Sequence, residues 1–125
     1  MNVFSVLAEI LFVGHSLIGP DLPRTVEAGL ATMNEPATVA AQIINGAPLR
    51  HNFENGGSAE GVNAREELTK GETRVLILTE AIPLAEHLKW NDTPGLIARY
   101  ATEALTANPD ARIYLYETWH SRKSG

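Results

Sequence analysis

The sequence predicts an α/β fold, and two observations carry that prediction. Short apolar runs alternate with longer segments whose apolar residues recur every three or four positions, the pattern of parallel strands joined by crossover helices. Three of the apolar runs also stop abruptly at glycine or polar groups: Gly14-His15-Ser16 after the first, Thr79-Glu80 after residues 74–78, and Glu117 after residues 112–116.

Strand one covers residues 6–13, apolar throughout as befits a strand buried on both faces, and Gly14 ends it. Asp21 ahead of Pro23, with Leu22, Val26, Leu30 and Met33 at helical steps, opens a helix over 22–33 that Pro36 closes. Residues 38–44 are β-branched and alanine-rich, a second strand, and Asn45-Gly46 is a turn. The stretch 49–62 is polar and carries Asn55-Gly56-Gly57-Ser58 and Gly61, which reads as a loop long enough to be functional. A short helix over 63–70 ends at Gly71, and 74–78 is a third buried strand. Pro94 opens a helix with Leu96, Ile97, Tyr100, Ala101, Ala104 and Leu105 on one face; Asn108-Pro109 stops it, and 112–116 is the last strand.

With 125 residues and 44% hydrophobic content, the chain suits one domain over 1–125. A net charge of -5 and the lack of a basic stripe beyond the short Arg122-Lys123 tail exclude nucleic acid as an expected partner. No apolar run approaches the roughly 20 residues of a membrane span. The N-terminal run contains Glu9 and lacks a basic n-region, so it does not read as a secretory leader, which tilts the expected compartment toward the cytoplasm. The absence of cysteine excludes a disulfide framework and leaves the redox compartment open. No cofactor is expected: Gly56-Gly57 lacks the lysine of a phosphate loop, and His87, His120, Glu86 and Glu117 lack metal-ligand spacing.

The chemistry centres on Ser16. A strand ending in Gly-x-Ser delivers a hydroxyl to the carboxyl edge of the sheet, where open α/β folds bind their ligands. With parallel strands, Ser16, Glu80 and Glu117 share that edge. Ser16 is then a candidate nucleophile whose attack creates an oxyanion held by backbone N–H groups; the plainer reading is a turn former or helix cap. Serine needs a base. Of the four histidines, His15 is expected to point away from the serine, His51 lies in the 49–62 loop and His87 follows strand three. His120, just past the last strand, is the best candidate base, with Glu117 as its orienting partner; alternatively residues 116–120 only wall the site.

Gly14-His15-Ser16-Leu17 directly after an N-terminal strand resembles the Gly-Asp-Ser-Leu block of the SGNH (GDSL-type) hydrolases, with histidine in place of aspartate. The resemblance implies a flavodoxin-like three-layer α/β/α fold with a parallel sheet, and ester hydrolysis by a serine nucleophile at Ser16 whose own N–H is the first oxyanion donor. It implies Gly57 as the second donor, with Gly56 and Gly61 as alternatives. Where the family carries Gly-x-Asn-Asp, this chain has Thr79-Glu80-Ala81-Ile82, so the asparagine donor is replaced; Glu80 is expected to orient a neighbouring donor and Asn91 to reach in. The family's closing Asp-x-x-His is absent. The resemblance therefore implies an incomplete fragment of a longer domain, lacking its C-terminal strand and helix.

The expected ligand is a small-molecule ester or a saccharide, with Trp90 and Trp119 available for stacking. An exposed last strand implies a companion chain or a second copy covering its edge. The alternative function is a non-catalytic saccharide- or protein-binding module on a degenerate hydrolase scaffold, which the altered third and absent fourth blocks favour.

Overall fold

The computed structural model describes residues 9–15, 21–32, 37–45, 47–80 and 92–116. Within them the elements are β1 (Glu9–Gly14), α1 (Asp21–Thr32), β2 (Thr38–Ile43), α2 (Leu49–Glu54), a 3-10 turn (Gly56–Ser58), β3 (Glu60–Gly61), α3 (Ala64–Thr69), β4 (Thr73–Leu78), α4 (Thr93–Ala107) and β5 (Arg112–Leu115). The five strands form one sheet in the order β3-β2-β1-β4-β5. β1 pairs in parallel with both β2 and β4, and β4 in parallel with β5.

Alternation along the strands sorts the core into two layers. Leu11 and Val13 of β1 and Leu76 and Leu78 of β4 face α2, α3 and α4, meeting Leu49, Phe53, Leu68, Leu96 and Tyr100. Phe12 and Ile43 face the other way, with Leu22 and Val26 of α1 packed on them. Tyr100 is fully buried, edge-on to Phe53 with ring centroids 5.0 Å apart, and burial pushes its phenol pKa up. The α/β class and the helical spacing of Leu96, Tyr100 and Ala104 therefore stand in the structure as read.

Two sequence expectations are corrected. The 49–62 stretch is not a loop: Pro48, at φ -72°, leads into α2, and Leu49, Asn52 and Phe53 bury one helical face. The sheet is also mixed rather than wholly parallel, because β3 runs antiparallel to β2, with Gln42 opposite Gly61 and Ile43 opposite Glu60. After α2 and the 3-10 turn the chain comes back along the edge of β2 as a two-residue strand with β2's direction reversed. Gly61 makes that close return possible: its φ is +90°, and a Cβ there would collide with the Ala41 carbonyl oxygen.

Gly61→Ala is accordingly expected to cost about 1–3 kcal/mol, read as a lowered urea midpoint. A pH-dependent test lies at the other end of the sheet. Partial burial holds the Glu9 carboxyl above its ordinary value of 4.5; the Thr73 hydroxyl, donating at 2.8 Å, pulls it back, and Glu67 adds to the rise. A carboxyl raised in the folded state contributes stability that is present below its unfolded pKa and lost as pH rises through the folded value. Glu9→Gln keeps an acceptor for Thr73 without the charge. It is expected to stabilise the fold by roughly 0.5 kcal/mol at pH 7 and by nothing below pH 4, in paired thermal melts.

Candidate functional site at the carboxyl edge of the sheet

The direction of winding reverses at β1. One crossover, through α1, leads to β2 on one side; the next, through α2 and α3, leads back to β4 on the other. In such sheets the crevice beyond the carboxyl ends at the reversal is the ligand position, here the ends of β1 and β4. The backbone closes tightly there: Ile44 N–H donates to the Gly14 carbonyl at 3.1 Å and Thr79 N–H to the Val13 carbonyl at 2.9 Å.

His15 follows Gly14 and is only 3% exposed. Alternation from Leu11 and Val13 puts it on the α2 and α4 side, where Nε2 lies 3.2 Å from the Glu80 carbonyl oxygen. A carbonyl only accepts, so Nε2 carries the hydrogen.

Glu80, equally buried, is the hub of the site. Its Oε1 accepts the Leu49 N–H at 2.9 Å, and its Oε2 accepts the Thr93 hydroxyl. Leu49 opens α2, whose entry residue Pro48 supplies no side-chain cap, and Thr93 opens α4. One carboxylate therefore satisfies donors at two helix starts, where negative charge is also favoured by the peptide dipoles. Both of its oxygens are thus committed as acceptors to α2 and α4.

A second buried pair braces the β1–β2 side. Gln42 Nε2 donates to the Asn52 Oδ1 at 2.8 Å and to the Asn52 carbonyl at 2.9 Å, while its Oε1 accepts the Ala64 N–H at 2.8 Å. Asn52 Nδ2 in turn donates to the Gly14 carbonyl at 3.3 Å. On the opposite face the buried Thr79 hydroxyl has no hydrogen-bond partner.

Of the site residues expected from sequence, the structure brings Glu80 to the end of β1 through His15. Gly57 sits in the 3-10 turn, in a cleft of about 380 Å³ shared with Phe53, Asn63 and Arg65, whose lining includes none of Gly14, His15 and Glu80. Gly56 is packed tightly, since a Cβ there would stand 2.6 Å from Gln42 Oε1. Arg65 in the same cleft is committed, its guanidinium 4.0 Å above the Phe53 ring and 3.1 Å from Glu103. Ser16, Asn91, Glu117 and His120 lie outside the described residues. Gln42, Asn52 and Thr93 escaped sequence reasoning. The spacing of Leu49, Asn52 and Phe53 was the available signal for the second of these.

No protein-family model matches this chain, and searches of curated proteins and of solved structures return no match. Among the described residues there is no cluster of three or more potential metal ligands, and no helix is long and apolar enough to cross a membrane.

Glu80→Ala is expected to destabilise the fold by about 3 kcal/mol or more, because it leaves a buried N–H and a buried hydroxyl without their acceptor. Glu80→Gln, which keeps one carbonyl oxygen for Leu49 while Thr93 turns to accept, is expected to cost less than half of that in the same chemical-denaturation series.

Proposed function

We propose that this chain is a serine esterase domain of the SGNH type, in which Ser16 attacks the acyl carbonyl of a small carboxylic ester. The observation that supports this reading most is the position of Gly14-His15: the end of β1 lies at the reversal of a sheet whose parallel strands run in the order β2-β1-β4-β5, an order compatible with the flavodoxin-like sheet that this reading expects. Ser16 is the next residue along the chain.

In the proposed reaction the Ser16 oxygen adds to the ester carbonyl as its proton passes to a base, for which His120, oriented by Glu117, is the candidate in this sequence. The oxyanion is held by backbone N–H groups, beginning with that of Ser16. Collapse expels the alcohol, which takes the proton back, and water then releases the acid by the same steps. Gly57 and Asn91 remain the candidate further donors. The placement of Gly57 in the Phe53–Arg65 cleft favours Ile44 and Asn52, which both donate to the Gly14 carbonyl, as the more direct wall of the site.

A binding module on the same scaffold is the second reading, favoured by the third block: the family's asparagine donor is replaced there, and the neighbouring Glu80 carboxylate is engaged by Leu49 and Thr93. The two readings separate in one experiment. A fluorophosphonate probe and a short-chain aryl ester are expected to report, respectively, covalent labelling at Ser16 and turnover. Ser16→Ala is expected to abolish the first and lower the second by at least ~10²-fold. Equal turnover with and without the Ser16 hydroxyl excludes the esterase, and saccharide binding by calorimetry in that case establishes the module.

A further inference from the structure

We infer that His15 is a positioning residue that fixes the main chain leading into Ser16 by donating from Nε2 to the Glu80 main chain, an inference that rests on the esterase reading of Ser16. Three observations carry it. His15 is bonded in sequence to Ser16, is 3% exposed, and has its Nε2 at 3.2 Å from the Glu80 carbonyl oxygen, a bond that joins residues 65 apart. Glu80 itself cannot drift, because its carboxylate is held by the Leu49 N–H and the Thr93 hydroxyl. Gly14, on the other side of His15, is fixed by Ile44 and Asn52. The backbone that leads into Ser16 is thus pinned on both sides.

The imidazole is suited to this work for a simple reason. The group it meets is a carbonyl, which demands a donor, and both the Nε2–H tautomer and the imidazolium supply one. The bond is therefore made in both of these forms, and the carbonyl selects against the Nδ1–H tautomer. Loss of such a bond lets that main chain sample other geometries, and catalysis is sensitive to displacements of about 1 Å, worth on the order of 10²-fold in rate. Substrate binding through groups elsewhere is left intact, so the effect belongs in kcat.

The test compares His15→Gln with His15→Met. The two side chains have similar length and volume; only glutamine has an N–H to donate. The readouts are the rate of fluorophosphonate labelling at Ser16 and the kcat and KM for the aryl ester, each normalised to the folded fraction from near-ultraviolet circular dichroism. We expect His15→Met to lose tenfold or more in labelling rate and in kcat with KM within twofold, and His15→Gln to recover to within threefold of the unaltered chain. Met and Gln variants that label equally fast overturn the inference while leaving the esterase standing. An unaltered chain that neither labels at Ser16 nor depends on Ser16 for turnover overturns the esterase, and this inference falls with it. Variants that lose labelling only in proportion to unfolding overturn the positioning role alone.

Discussion

The carboxylate of Glu80 is the interaction on which the carboxyl edge depends. It lies beyond β4, where two helices begin, and accepts the Leu49 N–H of α2 and the Thr93 hydroxyl of α4. A buried carboxylate is costly on its own account, by several kcal/mol, and is retained only where hydrogen bonds satisfy its oxygens. Here each oxygen has a donor from a different element. The arrangement is consequently cooperative: α2 cannot leave the sheet without stranding the charge, and the charge cannot leave without stranding α2.

That constraint explains why so short a helix as α2 is formed at all. Six residues are far below the length at which a helix is stable alone, and no side chain at Pro48 caps it. Its order comes from tertiary contacts: Leu49 and Phe53 in the core, Glu80 at its start, and Asn52 turned inward to Gln42 and Gly14. The same bonds tie α2 to the carboxyl end of β1 at Gly14, to β2 at Gln42 and to Glu80 beyond β4.

How much of this was legible follows from the range of each interaction. The α/β class, β1, β4 and α4 were readable, because continuous apolar runs and the Leu96, Tyr100, Ala104 spacing are local signals. The 49–62 stretch was misread because its composition is polar and glycine-rich, while what orders it comes from partners as distant as Glu80 in sequence and Gln42 across the sheet. The antiparallel β3 escaped for a related reason: two residues, Glu60 and Gly61, carry no strand periodicity. Of the candidate site, Glu80 was visible as a polar group at a strand end, but its partners were not. Nothing local distinguishes a carboxylate that meets solvent from one that accepts a helix's first N–H and a hydroxyl at the start of another.

The identity of residue 15 is bound up with the same geometry. An aspartate at this position would be an acceptor when ionised. Beside the Glu80 carbonyl it would face a second acceptor with the Glu80 carboxylate close by, a burial that costs energy and returns no hydrogen bond. A protonated aspartic acid would restore the donor only by raising its pKa far out of its normal range. Histidine avoids the conflict, since its neutral form already carries the hydrogen that the carbonyl requires. The group that residue 15 meets is a main-chain carbonyl, so the demand for a donor there is set by how the end of β4 lies beside the end of β1 and not by the side chain at 80.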